Sequence, residues 1–487
     1  MSEATKRGVG TIGGYTVLRR EPLERLEGAF IELEHERTGA RHIHIECGDD
    51  NNGFTILFPT PPRDSTGVAH ILEHVVLAGS QRFPVHDPFF SMTRRSLATF
   101  MNAFTSADWT AYPFSTRNAK DFSNLLDVYL DATFYPRLEQ DAFMQEGIRF
   151  EFETPDDPRS GLRYKGVVFN EMKGALASPA AAMQRAMGKA LFPELTYEHV
   201  SGGDPEHIPE LTWQKLRDFH ASHYHPSNAF FYTYGDRPLE ATLEAIERNV
   251  LSRFERISID SSIPFVKRFS QPASLTEPYP AVAGEDNSRR SQALTAWVTV
   301  PSSDSFRLLS IKVLTEVLLS NSGSPLRKAL IDSKLGTAMA DGTGLQDDYK
   351  ESVFGAGLKD VRTEDAGKVE EVVLDTLARL HLRRRPVRIN ELRRRSGEAA
   401  AGEKGRALVR KRDSHRAARQ LAPSVAHDRA GPRPGGPKAQ EGARAFGPHR
   451  GHAVGAGPQQ DRRGRDPAEI RAGRPAGPVG AADARAL

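Results

Sequence analysis

The 487-residue chain has a single cysteine, Cys47, which excludes an intramolecular disulfide and a cysteine-based zinc cluster. Its net charge of +3 conceals an acidic body, with 41 Lys and Arg against 53 Asp and Glu over residues 1–381, and a basic tail, with 25 against 10 from Leu382 onward. No apolar run approaches the ~18 residues of a membrane span, and the opening MSEATKRGVGTIGGYTVLRR has neither the apolar core of a secretory signal nor the amphipathic, acid-poor character of a transit peptide. With one cysteine, these features predict a cytoplasmic protein without a membrane partner.

In chain order, RHIHIEC (41–47) and FTILFP (54–59) predict strands on either side of the turn GDDNNG. Helical periodicity follows in 67–79, and DFSNLLDVYLDATF (121–134) predicts a second amphipathic helix. YKGVVFNEMKGAL (164–176) runs from a strand end into a helix. TWQKLRDFHASHY (212–224) reads as a helix stopped by Pro226, and NAFFYTYGD (228–236) as a strand. Strands and helices alternate without a repeated βαβ signature. That predicts an α+β fold, a mixed sheet packed with helices, rather than a parallel doubly wound sheet. A second unit begins near Pro278, after SQPASLTEPYP. It opens with a strand, SQALTAWVTV (291–300), and a long helix, SFRLLSIKVLTEVLLS (305–320), and it includes a strand at 350–358 and a helix at 364–381.

From Leu382 onward Arg, Ala, Gly and Pro dominate, and Phe446 is the one aromatic residue. Such a segment buries too little apolar surface to offset its ordering entropy, so disorder is expected. These four residue types are the ones that GC-only codons encode, and the change interrupts a domain instead of following one. The tail therefore reads as out-of-frame translation rather than a natural basic extension. It lacks the interleaved aromatics of a nucleic-acid-binding segment, so no specific nucleic-acid partner is expected. The expected division is 1–270, a catalytic domain; 278–381, an incomplete second domain; and 382–487, the tail.

The stretch GVAHILEHVVLAGS (67–80) places His70, Glu73 and His74 among Ile71, Leu72, Val75, Val76 and Leu77. Burying two imidazoles and a carboxylate costs several kcal/mol unless they find partners. Positions four apart share a helix face, so His70 and His74 can present two ring nitrogens to one metal ion, with Glu73 beside them in reach of a water. This is the H-x-x-E-H spacing, the inverse of the H-E-x-x-H pattern of zinc peptidases. A third ligand must come from elsewhere in the chain. His220, His223 and His225 in FHASHYHP lie at a helix end with no adjacent carboxylate, and read as structural.

GVAHILEHVVLAGSQRFPVHDPFF, followed by SLATFMNAFTSADWTAYPFST, resembles the inverzincin peptidases of the pitrilysin and insulysin type, most of all their presequence protease branch. YKGVVFNEMKG and SGGDPEHIPELTWQKLRDFHASHYHPSNAFFYTYGD are similar too, and the resemblance runs from about residue 12 to about residue 381. It implies α/β roll domains, the second of them incomplete. It also implies that Glu171 joins His70 and His74 on a single zinc ion, and that Glu73 is the general base. Asn102 and Ala103 match a pair that, in the family, belongs to an edge strand on which an extended peptide pairs. Members of the branch are longer and have two halves that close around the peptide. The expected function is therefore a zinc metalloendopeptidase of unstructured peptides, truncated and impaired. The alternative is a non-catalytic peptide-binding half-chain that pairs with a second peptidase half.

Overall fold

The structure is a computed structural model that describes residues 10–85, 88–278, 284 and 286–382. The tail expected to be disordered and out of frame lies outside the described residues.

The N-terminal strands are β1 (Gly10–Ile12), β2 (Tyr15–Leu23), β3 (Gly28–His35), β4 (Arg41–Glu46) and β5 (Asn52–Pro59), and β3, β4 and β5 alternate buried and half-exposed positions. This is the pattern of a sheet with one face packed on helices and the other open. The helix α1 (Val68–Val76) follows, then α2 (Pro88–Arg95), β6 (Ala98–Met101), β7 (Phe104–Thr105), β8 (Trp109–Thr116) and α3 (Ala119–Phe134). The side chain of Asn118 accepts from the backbone of Lys120 and Asp121, satisfying two orphan donors at the start of α3. Next come α4 (Gln140–Glu146), the hairpin β9 (Arg149–Phe152) and β10 (Leu162–Lys165), α5 (Val167–Ala175) and α6 (Pro179–Leu191). The first sheet closes with α7 (Trp213–His223), β11 (Phe230–Gly235) and α8 (Leu239–Asn249).

Strand order in this sheet is β1-β2-β3-β4-β11-β5-β8-β6, with β7 also paired to β8. The two strands flanking GDDNNG do not pair with each other. β11 lies between them, parallel to β4 and antiparallel to β5. Its Phe231 and Thr233 enter the buried side of the sheet, and Phe231 packs against His42, Phe54 and Phe134. The sheet is mixed, with this one parallel pair, as the α+β expectation requires. The core between sheet and helices is built from Phe54, Ile56, Phe58, Ile71, Leu72, Phe114, Phe122 and Tyr129, among others.

The later elements are β12 (Ser291–Pro301), α9 (Ser305–Leu319), α10 (Pro325–Asp332), β13 (Ala338–Met339), β14 (Gly344–Gln346), β15 (Glu351–Val361) and α11 (Ala366–Leu382). The order strand, two helices, three strands and a helix is the one that runs from β5 to α3. The pairings repeat as well. β15 takes β12, β13 and β14 as antiparallel neighbours, as β8 takes β5, β6 and β7. Residues 254–278 between the two sheets form neither helix nor strand. Tyr197 ties the two parts together: its hydroxyl donates to Asp108 Oδ2 at 2.7 Å and accepts from the Lys350 backbone at 2.8 Å. Among the described residues no helix is long and apolar enough to cross a membrane.

One buried cluster carries an acid-stability prediction. His42 Nε2 and His44 Nδ1 both lie 2.8 Å from the hydroxyl of Thr233. Burial and the neighbouring His44 ring push the His42 pKa down to about 3. The unfolded chain binds this proton from about pH 6.5 downward, whereas the folded chain refuses it until about pH 3. Acid therefore favours unfolding between those values, at about 1.4 kcal/mol per pH unit for this one group. Denaturant unfolding from pH 7 to pH 4 should show stability falling with pH, and His42→Asn should flatten the slope. An unchanged slope in the variant would remove His42 from the acid response.

Candidate metal centre

Gly67 starts α1 with a positive φ of 70°, and a Cβ there would lie 2.6 Å from Gly203 Cα. Glycine thus meets two demands at once: a left-handed turn, and contact between the helix start and the 202–203 loop. The contact matters because the carbonyl of Gly202 accepts a hydrogen bond from His70 Nδ1 at 3.0 Å. A carbonyl can only accept, so Nδ1 carries the proton and Nε2 presents a lone pair.

His74, one turn later, is held in the same sense. Its Nδ1 lies 3.0 Å from Glu146 Oε2. The two rings stand 5.1 Å apart, nearly perpendicular. Their Nε2 atoms point to one carboxylate oxygen, Glu171 Oε2, at 3.9 Å from His70 and 4.0 Å from His74. One ligand atom from each of the three residues lies within 4.8 Å of the others, and no other group of three His, Cys, Asp or Glu converges in this way among the described residues.

The hairpin explains how Glu171 arrives. Glu146 is the last residue of α4, and Glu171 is on α5, which begins directly after β10. Pairing of Lys165 with Arg149 brings the end of α4 and the start of α5 side by side. Gly166 sits at this junction in extended backbone, where a Cβ would fall 1.9 Å from the carbonyl oxygen of Gly147. Gly166→Ala must therefore shift one helix against the other. We expect a stability loss of about 1–3 kcal/mol from the overpacking and a weaker metal site, read by thermal unfolding and zinc titration. A variant as stable and as tight as the parent would show that the junction tolerates the shift.

Glu73 is buried, with Oε2 accepting from the Thr105 hydroxyl at 2.6 Å. Burial pushes its carboxyl up to about 7, against the opposing pull of the His74 ring and the Thr105 hydroxyl. That is near the pKa at which a proton acceptor is also a useful donor. His74 moves the other way from an ordinary buried imidazole. Burial disfavours its charged form, but the hydrogen bond it donates to Glu146 and the charges of Glu73, Glu146 and Glu171 outweigh that and raise its pKa.

The donor set fits a zinc ion. Two imidazole nitrogens and a carboxylate make a three-ligand set of the catalytic type. Each histidine has its other nitrogen held by an acceptor, the usual outer support of a metal ligand. Three carboxylates surround the site, which favours a cation in it.

Thr105, Glu146 and Gly202 were not legible in the sequence. Nothing in FMQEGIRF or VSGGDPE marks a partner for a histidine about 70 to 130 residues away. Asn102 and Ala103 lie between β6 and β7. Both are buried, and Asn102 Oδ1 accepts from the Ala103 backbone at 3.0 Å, so their side chains shape the bend. Beside them β6 is the last strand of the sheet, with Thr99 and Phe100 exposed. His220 bonds to the carbonyl of Thr133, His223 to that of Phe219, and His225 Nδ1 accepts from the backbone of Ser227; the three do not converge.

The family description "Insulinase (Peptidase family M16)" matches residues 61–158, and "Peptidase M16 inactive domain" matches residues 210–384. The mitochondrial presequence protease of Xenopus tropicalis is 45% identical over 372 residues, 75% of this chain and 36% of that protein. The chain belongs to peptidase family M16. Within it, this M16 chain is similar to the mitochondrial presequence protease of Mus musculus, at 44% identity over 75% of the chain and 35% of the relative. It is likewise similar to presequence protease 1, chloroplastic/mitochondrial, of Arabidopsis thaliana, at 41% identity over 75% of the chain and 34% of the relative. The M16 chain thus spans about a third of the length of the curated relatives it matches. Among solved structures, a protease from Helicobacter pylori superposes with a TM-score of 0.53 at 17% identity, covering 80% of this chain and 89% of that one. Pitrilysin superposes at 0.52 and 16% identity, covering 76% of this chain and 38% of its own. These two establish the pitrilysin-type fold.

The expectation of a cytoplasmic protein is corrected by the relatives, which are named as mitochondrial or chloroplastic/mitochondrial. A low cysteine count reports a reducing environment, and more than one compartment offers that. An absent secretory signal is not an address either.

Proposed function

We propose that this M16 chain carries the catalytic centre of a zinc-dependent endopeptidase acting on unstructured peptides, in an organellar setting like that named for its relatives. The convergence of His70, His74 and Glu171, with Glu73 buried beside them, supports this reading most directly. His70, His74 and Glu171 would hold the ion. Bound zinc supplies Lewis acidity, lowering the pKa of a water in its open position to about 7 and polarising the scissile carbonyl. Thr105 holds Oε2 of Glu73, so proton transfer falls to Oε1. The carboxylate takes a proton from the attacking water and returns it to the departing amine. Among the described residues no strand pairs with the outer edge of β6, where an extended peptide can pair by main-chain hydrogen bonds, a sequence-tolerant mode. Exposed Phe100 flanks that edge, and buried Asn102 and Ala103 shape its end.

A second reading, a half-chain that needs a partner to act, is favoured by the share of the relatives that is covered, 36% in the first case. Orientation of a bound peptide can supply about 7–11 kcal/mol of barrier reduction, and residues outside this chain would contribute to it. Zinc binding and turnover should then separate. The test is a fluorogenic unstructured peptide with zinc-loaded chain, with and without chelator. Stoichiometric zinc with slow hydrolysis that chelator stops is the expected result. Hydrolysis indifferent to chelator would end the zinc reading, and fast hydrolysis by the chain alone would end the second.

A further inference from the structure

Glu73 is oriented by a strand of only two residues. β7 carries Thr105, whose hydroxyl donates to Glu73 Oε2 at 2.6 Å. The strand pairs with β8 at Phe104 opposite Ala111 and at Thr105 opposite Thr110. So short a strand makes few ladder bonds, and segments with few such bonds open easily. Its place is therefore set by whatever holds the turn beyond it. The setting matters, because a misplacement of about 1 Å near the chemistry can cost on the order of 10²-fold in rate.

Residues 106–108 form that turn, closed by Ser106 N–H donating to the Trp109 carbonyl at 2.8 Å. The first sheet holds it through Thr60. The Thr60 N–H donates to the Asp108 carbonyl at 2.8 Å, and the Thr60 hydroxyl lies 2.8 Å from that of Thr110. The second sheet holds it through Tyr197. The Tyr197 hydroxyl donates to Asp108 Oδ2 at 2.7 Å and accepts from the N–H of Lys350, the residue before β15, at 2.8 Å. Tyr197 is buried, its ring 5.2 Å from that of Phe192 and 4.9 Å from that of Tyr349. Ala107 packs on the same cluster, which includes Met187, Val266 and Val353. The hydroxyl is used in both directions, so a phenylalanine at 197 would leave Asp108 and the Lys350 N–H each short of a partner. Thr105 and Asp108 belong to the matched region 61–158, and Lys350 to the region matched as an inactive domain.

We propose that Tyr197 is a positioning residue for the reaction: its hydroxyl clips the β7–β8 turn to the second sheet and so holds Thr105 where it orients Glu73. The domain described as inactive thereby acts on the general base from a distance. The proposal rests on the reading of Glu73 as the proton acceptor.

The test uses the full zinc-loaded chain. Tyr197→Phe should raise amide exchange in residues 104–110, leave it unchanged in 68–76, and keep the zinc affinity. Where peptide is turned over, kcat should fall about three- to tenfold with KM held. Asp108→Ala should do the same, and Asp108→Asn, which keeps an acceptor, should lose less. The deciding variant is Tyr197→Phe combined with Thr105→Val. It should turn over no more slowly than Thr105→Val alone, because the clip acts through Thr105. Multiplied losses in the double variant would overturn the proposal. So would parental kcat in a Tyr197→Phe protein of lowered stability, which would make the hydroxyl a brace between the sheets and nothing more. Exchange and zinc titration need no turnover. A parent that hydrolyses nothing counts against the endopeptidase reading, whereas unchanged exchange at 104–110 in folded Tyr197→Phe protein overturns the clip whether or not peptide is cut.

Discussion

The His74→Ala protein should bind no stoichiometric zinc, and His70→Ala and Glu171→Gln should behave alike. Each removes one of three donors that meet at a single point. Metal affinity in such sites rests on the full ligand set, with apparent binding free energies of roughly 10–16 kcal/mol in four-ligand structural sites. Glu146→Gln is expected to be milder. It keeps a hydrogen-bond acceptor near His74 but removes the charge that orients and polarises the ring. Loss of such a partner typically costs about 10–100-fold in metal affinity. A competition titration against a zinc chelator orders the four variants, with circular dichroism to verify folding. Stoichiometric zinc in folded His74→Ala protein would refute the ligand assignment.

Glu73→Gln should give the opposite dissociation: zinc retained and hydrolysis lost by about 10²–10⁴-fold, the usual contribution of a positioned general base. The amide keeps the shape of the side chain and can still meet Thr105, so the loss isolates the proton transfer. Thr105→Val should have a smaller effect. It removes a hydrogen bond to a carboxylate, a contact of about 1.5–3 kcal/mol, and so should lower turnover about tenfold or more without displacing zinc. Both are measured in whichever preparation turns the peptide over, the chain alone or the chain with a second half. Equal turnover in Glu73→Gln and parent would assign proton transfer to another group.

Local spacing was enough to specify the individual elements and the paired half of the metal centre. Helical periodicity acts within a few residues, so the helices expected at 67–79, 121–134 and 212–224 were legible from spacing and from Pro226, and they are found at 68–76, 119–134 and 213–223. The four-residue separation of His70 and His74 specifies a shared face without any knowledge of the rest of the chain. Glu171 was reachable only through the family resemblance, because a carboxylate on a separate helix has no fixed spacing to α1. The tertiary structure alone decided the remainder. β11 enters between two strands that the sequence shows side by side, since strand order follows from which apolar faces pack and not from chain distance. Gly202, Glu146 and Thr105 reach the site from a loop, a helix end and a strand, each brought in by long-range pairing that no local pattern encodes.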